Sequence, residues 1–385
     1  MLSDIWIDLL KVDRLGVTEN FFDLGGHSLL AGQAMARVAR ALGVSLPIKT
    51  IFEAPTVEQQ ARRVDEALAT QTQKPLAEIP RLAQSGPPPL SIAQAAMVTM
   101  ERELPGLPLF NLPFALRLQG PLDVTALSRA LGDVVRRHEA LRTTFGGIND
   151  APGLRITAPG KIGEVLTVEP IGDGGRVGGK RLKALQLKKI KLLAEQEAWE
   201  PLDMTRAPLL RARLLRMQAD DHVLLLTFHH AVADGWSIGI VFDEISRRYA
   251  ALVGRPTEPL QKLPLSFADV ARWQRWWCGT EAAKRRAAEW TDALRGATPV
   301  FTSKDGAETI PAGRPTGYHP LRLNGELIAE ISTFASSQNG TLFMALMTAL
   351  KAVLALRTGR NDICVATSMA NRTQPDTDLV IGPFE

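Results

Sequence analysis

Two stretches of the chain carry side chains whose types and spacing could do chemistry. The first is "LLLTFHHAVADGWSIG", residues 224–239, where an apolar run ends in His229 and His230 and is followed by Asp234 and Gly235. A histidine titrates near pH ~6.5, so one placed at a strand end can serve as a general base at neutral pH. Successive strand side chains point to opposite faces, so one of the two rings is expected to pack into the scaffold and the other to face a cavity. Asp234 could orient the histidine, or it could hold the loop by pairing with an arginine. Two adjacent histidines alone are more often packing residues. The three-residue spacer and the Asp-Gly at a strand-to-helix turn are what make this pattern a candidate for catalysis. A metal centre is not expected, because adjacent strand histidines diverge and no third ligand is near them in sequence.

The second stretch is "NFFDLGGHSLLAG", residues 20–32, which places Ser28 after two glycines and at a helix start. Unpaired N–H groups and a partial positive charge at a helix N-terminus would accommodate a phosphate ester on Ser28. Gly25 and Gly26 would let the backbone turn sharply and expose the serine. The plainer reading is a serine N-cap. A hydrolase nucleophile elbow does not fit, since G-x-S-x-G needs glycine where Leu30 stands and should follow an apolar strand.

The elements that must position these residues follow from periodicity. Residues 1 to about 68 read as a small helical unit, with Met35, Val38, Ala39 and Leu42 at helical spacing and Gly43 as a stop signal. Residues 69–90, rich in Gln, Pro and small side chains, read as a linker stiffened by Pro87 to Pro89. Beyond it helix-like and strand-like segments alternate, which argues an α/β or α+β domain. "FALRLQG", "LLRARLLRM" and "HVLLLTF" read as strands, and Ile238, Val241, Phe242, Ile245 and Tyr249 lie at helical spacing after Asp234-Gly235. A Pro-rich stretch near 255–265 marks a second boundary or crossover. In "RVGGKRLKALQLKKIK", residues 176–191, seven basic residues stand with no acid. Leu185, Leu192 and Trp199 recur every seven positions there, so a helix with one buried stripe and a solvated basic face is expected. A docking face for an acidic partner is the other reading.

Composition bounds the function classes. The 385 residues suffice for two or three domains, with 45% apolar and 22% charged residues near soluble averages. The net charge is +4, yet residues 1–70 hold seven Lys/Arg against nine Asp/Glu, so nucleic acid is not an expected partner. No apolar run approaches membrane-span length and the start lacks a basic n-region, so a cytoplasmic protein without a membrane partner is expected. Cys278 and Cys364 lie far apart and read as small hydrophobes.

Residues 1–68, with "ENFFDLGGHSLLAGQAMARV", resemble acyl or peptidyl carrier proteins and their "DNFFxLGGHSLL" signature. The resemblance implies a small all-α, four-helix carrier whose Ser28 receives 4′-phosphopantetheine from coenzyme A through a phosphopantetheinyl transferase. The H-H-x-x-x-D-G pattern resembles the active-site motif of nonribosomal peptide synthetase condensation domains, an α/β fold similar to chloramphenicol acetyltransferase. "RRHEALRTTF" at 136–145, "SFADVARWQR" at 266–275 and "VIGPF" at 380–384 resemble further family segments in the same order.

That resemblance implies a carrier at 1–70, a linker at 71–90, a condensation N-terminal lobe at 91–260 and a C-terminal lobe at 261–385. The second lobe is expected to be incomplete, because Glu385 falls inside a family segment. His230 is implied to face the tunnel where two pantetheine arms meet, positioning or deprotonating the attacking amine or stabilising the tetrahedral intermediate. His229 is implied to be scaffold. Asp234 is implied to form a structural salt bridge, placed here with Arg142, and Gly235 to let the backbone approach the channel. The implied function is amide-bond formation between an aminoacyl or peptidyl thioester on Ser28, the donor, and an amino acid on a downstream carrier. An upstream adenylation domain would charge the donor arm. The alternative is a non-catalytic module that docks carriers. "SIAQAAMVTM" lacks the arginine and aromatic residue usual in the family's first segment, and Phe267 stands where a tyrosine is usual; altered packing is expected there.

Overall fold

The computed structural model describes residues 1–26, 28–44, 46–47, 49–70, 79, 87–146, 153–171, 180–297, 321–338, 340–372, 374 and 376–384. The expected linker lies outside the described residues except for Ile79 and 87–90. Two compact units emerge: Met1–Pro75 with Glu281–Met369, and Leu76–Thr280 with Ala370–Glu385.

In the first unit, the N-terminal part holds α1 (Leu2–Leu10), α2 (Ser28–Leu42), α3 (Lys49–Glu53) and α4 (Val57–Thr70). Their apolar faces meet in one core of Trp6, Leu9, Phe21, Ala31, Ala34, Met35, Ile51 and Val57. Trp6 stands edge-on to Phe21 at 4.8 Å, and Phe22 stacks on Phe52 at 5.1 Å. Among the described side chains of α2, those at positions 31, 34, 35 and 38 are buried, which is the i, i+3, i+4, i+7 stripe of an amphipathic helix. The same unit contains α10 (Glu281–Ala293), α11 (Gly325–Ser337) and α12 (Leu342–Thr358), of which α11 and α12 pack on each other. α12 is predominantly apolar yet buries no residue fully; Phe343, Met344, Leu350, Val353 and Leu356 are exposed. No single described helix is long and apolar enough to cross a membrane.

The second unit is built around a four-stranded sheet packed against helices. Its strands are β1 (Asn111–Gln119), β4 (Leu166–Pro170), β5 (Leu210–Gln218) and β6 (Asp221–His229), in the order β1-β6-β5-β4. β6 runs antiparallel to both β1 and β5, while β4 joins β5 in parallel. A separate ribbon pairs β2 (Thr143–Phe145) with β3 (Leu154–Ile156). The helices are α5 (Ile92–Glu103), α6 (Val124–Arg137), α7 (Lys180–Trp199), α8 (Gly235–Leu252) and α9 (Phe267–Cys278). The period of two along β6 sends Leu224, Leu226 and Phe228 into a core with Leu127, Leu131 and Val134 of α6 and Ile238, Val241 and Ile245 of α8. Val223 and Leu225 point the other way, onto Leu215 of β5 and Ile190 of α7. β6 is thus buried on both sides, which is why it reads as an unbroken apolar run.

The stripe expected on α7 is corrected. Leu185, Leu192 and Trp199 are exposed, whereas Gln186, Ile190 and Glu197 are buried, with Leu193 and Ala194 partly so. Glu197 is drawn inward by cations of β5. Arg211 binds its Oε1, and Arg213 Nη1 donates to Oε2 at 3.1 Å. Arg211 Nη2 also donates to the carbonyls of Glu197 and Glu200 at 2.9 Å each, satisfying the C-terminal end of α7.

Candidate functional site

β6 ends at His229, paired with Asn111 of β1, and His230 continues the edge by donating its backbone N–H to the Phe110 carbonyl at 2.7 Å. His229 is buried and His230 half-buried. The His229 ring is held at both nitrogens: Nδ1 accepts from the Ala231 N–H at 3.0 Å, and Nε2 lies 3.3 Å from Glu101 Oε1 on α5. Ala231, Val232, Ala233 and Asp234 are all fully buried, so the turn that follows the histidines is a packed segment rather than a solvated loop. Gln94 of α5 donates to the Ala231 carbonyl at 3.1 Å.

Asp234 caps α8 through the Ser237 N–H at 2.7 Å and accepts from the Ser237 hydroxyl at 2.6 Å. Its partner cation is Arg372, whose Nη2 lies 2.9 and 3.1 Å from the two carboxylate oxygens; both side chains are at most 1% exposed. The pairing with Arg142 expected from the sequence is therefore corrected. Arg142, itself buried, donates to the backbone carbonyls of Arg136, at 3.1 Å, and Thr157, tying the end of α6 to the residue after β3. Burial lowers its pKa, an effect that Glu139 partly offsets.

The polar side chains of the Asp-Gly-Trp-Ser run secure the segment 372–384. Trp236 Nε1 donates to the Asp378 carbonyl at 3.0 Å, Ser237 Oγ accepts from Gly382 N–H at 3.0 Å, and Asp234 Oδ2 accepts from Phe384 N–H at 3.2 Å. Arg372 also lies over the Phe384 ring at 3.9 Å and donates to the carbonyls of Thr377 and Val380 at 2.6 Å each. Phe267 packs edge-on to Phe384 at 5.3 Å, and any Cβ on Gly382 would overlap the Phe267 ring. Gly235 is the exposed first residue of α8.

Ser28 is the first residue of α2, where the initial backbone N–H groups lack helical partners. Its side chain and all of His27 lie outside the described residues. The approach is shaped by both glycines. Gly25 adopts φ +92°, and Gly26 presses on Phe21 so closely that a Cβ would overlap the ring and the carbonyl oxygen. A serine opening a 15-residue helix behind such a turn fits attachment of a phosphodiester-linked arm.

Sequence reasoning did not find Arg372, Gln94 or Glu101. "SIAQ" did carry a signal, the S-x-x-Q capping box that α5 forms: Ser91 Oγ accepts from Gln94 N–H at 3.1 Å and Gln94 Oε1 from Ser91 N–H at 3.0 Å. Arg275 of α9, from the W-Q segment, donates to the Leu90 carbonyl at 2.8 Å and anchors that helix start.

A buried, arginine-locked loop after a two-histidine strand end, preceded by a four-helix bundle with a serine-initiated helix, defines a two-domain chain of a helical bundle and an α/β sheet domain. Residues 84–384 match the condensation domain family and residues 2–64 match the phosphopantetheine attachment site. The chain belongs to the condensation domain family and carries a phosphopantetheine-binding domain ahead of it. Over its whole length it is 36% identical to a linear gramicidin synthase of Brevibacillus parabrevis, and it spans 5% of that protein. It is also 34% identical to malpibaldin synthetase of Mortierella alpina, again over its whole length, and spans 7% of that protein. Among solved structures, it resembles the SgcC5 protein from Streptomyces globisporus at 30% identity and TM-score 0.64, covering 77% of this chain and 66% of that one. The X-domain from teicoplanin biosynthesis, solved in complex with OxyB, is 25% identical at TM-score 0.59, covering 80% of this chain and 65% of that one.

Proposed function

We propose that this chain holds an aminoacyl or peptidyl group on Ser28 and forms an amide bond from it, as the donor half of one step in nonribosomal peptide synthesis. When bound, 4′-phosphopantetheine supplies a thiol that carries the acyl group as a thioester. The chain's own groups do the rest. His230 holds or takes the proton of the incoming amine as the C–N bond forms and the C–S bond breaks; that proton leaves with the sulfur. His229, Asp234 and Arg372 keep His230 where it stands, and Gly235 leaves the start of α8 without a side chain beside it. The observation that carries this reading is the half-buried His230, set between a fully buried His229 and a fully buried turn. A functional side chain needs packed neighbours that hold its geometry.

The partners in this reading are a phosphopantetheinyl transferase, an adenylation domain that charges the arm, and a downstream carrier bearing the acceptor amino acid. The cytoplasm suits it, since Cys278 and Cys364 are exposed and unpaired. In the test, coenzyme A and a phosphopantetheinyl transferase add one arm by intact mass, and Ser28→Ala adds none. With the arm acylated and a loaded acceptor carrier supplied, His230→Ala slows amide formation by about 10² or more. A mutant as fast as the parent overturns the assignment. The likeness to an X-domain solved with a bound protein supports a second reading, a docking module without catalysis; a parent chain that binds the acceptor carrier but forms no amide selects it.

A further inference from the structure

The turn that carries His230 is gripped by one helix, α5, on both sides of Ala231. The Ala231 carbonyl accepts from Gln94 Nε2, and the Ala231 N–H donates to His229 Nδ1, while the far side of the same ring meets Glu101. Because Nδ1 is occupied as an acceptor, its lone pair is not free to take a proton without breaking the bond to Ala231. The proton of the neutral ring must then sit on Nε2, facing Glu101 Oε1. The ring is 2% exposed and the Glu101 side chain 16%, so water has little access to scramble that arrangement. Gln94 is immobilised in turn by its reciprocal bonds with Ser91.

We propose that Glu101 is a positioning residue of the condensation site: it holds His229 as the Nε2–H tautomer, and through Nδ1 and Ala231 it sets the backbone that presents His230. This rests on the amide-forming reading only for its effect on rate. What Glu101 must supply is an acceptor oxygen, not a negative charge, since the ring it faces is neutral. Glutamine keeps that oxygen and alanine removes it.

Two readouts test this on the full chain. In the first, 15N-labelled histidine side chains are observed by long-range ¹H–¹⁵N correlation at pH 7, with His229→Gln identifying the His229 signals among the six histidines. The expected result is a protonated Nε2 and a bare Nδ1 in the parent and in Glu101→Gln, and a mixture of tautomers in Glu101→Ala. In the second, amide formation with a loaded acceptor carrier falls about tenfold in Glu101→Ala through kcat, and Glu101→Gln restores it to within about twofold, as for residues that orient a functional histidine. A proton on Nδ1 in the parent, a doubly protonated ring, or a Glu101→Ala protein with unchanged tautomer overturns the proposal. So does an unchanged rate in Glu101→Ala alongside an active parent. If the parent forms no amide, the amide-forming reading fails, and the tautomer measurement still decides the role of Glu101.

Discussion

Asp234 shows how much one buried carboxylate can organise. Its two oxygens accept from the backbone and hydroxyl of Ser237, from Arg372 and from the Phe384 N–H, with no exposure to water. Removing it leaves the guanidinium of Arg372 buried and uncompensated, so Asp234→Ala is expected to cost about 3–5 kcal/mol in urea unfolding. Changing Arg372→Met in the same protein should recover part of that loss, because the stranded charge goes with it. Asp234→Ala combined with Arg142→Ala should instead be additive to within ~0.5 kcal/mol, since the two share no partner. At the carrier, Gly26→Ala places a methyl group on the Phe21 ring and carbonyl. It is expected to cost about 1–3 kcal/mol by overpacking, read from the thermal midpoint of the carrier's unfolding.

Elements are tied by a few polar bridges through otherwise apolar contacts. α6 and α8 share Glu244, which is buried: His138 Nε2 lies 3.0 Å from Oε2 and Arg137 Nε donates to Oε1 at 3.0 Å. Burial pushes the Glu244 pKa up, but the hydrogen bond from His138 and the charges of His138 and Arg137 outweigh it, and the pKa ends below its ordinary value of 4.5. With the folded pKa depressed, the unfolded chain takes up the proton first as pH falls. The stability Glu244 contributes is therefore full above about pH 4.5 and is lost as pH drops through the folded pKa. Unfolding free energies measured across that window should fall steeply for the parent and less so for Glu244→Gln. If both proteins give the same acid limb, Glu244 is not the group that titrates. α7 depends likewise on Glu197 and the arginines of β5, which decide its buried face against its leucine spacing.

At the scale of the molecule, the described surface is uneven. The helices α11 and α12 expose Leu327, Phe334, Phe343, Met344, Leu346, Leu350, Val353 and Leu356, whereas the central strand β6 is covered on both faces. Exposed apolar side chains in such number bind hydrophobic dyes and promote self-association. The chain is expected to enhance anilinonaphthalene sulfonate fluorescence in its native state. Replacing Leu350 and Leu356 by glutamate should lower that signal and the concentration dependence of its elution volume, with the unfolding of the Leu76–Thr280 unit unchanged. A fluorescence unaffected by the double substitution would place the dye elsewhere.

The sequence alone determined what local rules can determine. Ser28 opens a helix after a glycine turn because glycines and a helix start are local features, and "HVLLLTF" is a strand buried on both faces because its apolar residues run without alternation. The order of the family segments likewise made both domains legible. Only the tertiary structure decided which charges meet. Asp234 pairs with a residue 138 positions downstream, since a salt bridge depends on where the chain returns rather than on spacing along it. The leucine spacing of α7 misled for the same reason: β5 presents Arg211 and Arg213 to Glu197, and that contact turns the helix so that Ile190 and Glu197 face inward while Leu185 and Leu192 stay in water. Glu101 and Gln94 gained their roles only when α5 was laid against the turn after β6, because nothing in their own segment refers to a histidine 128 residues away.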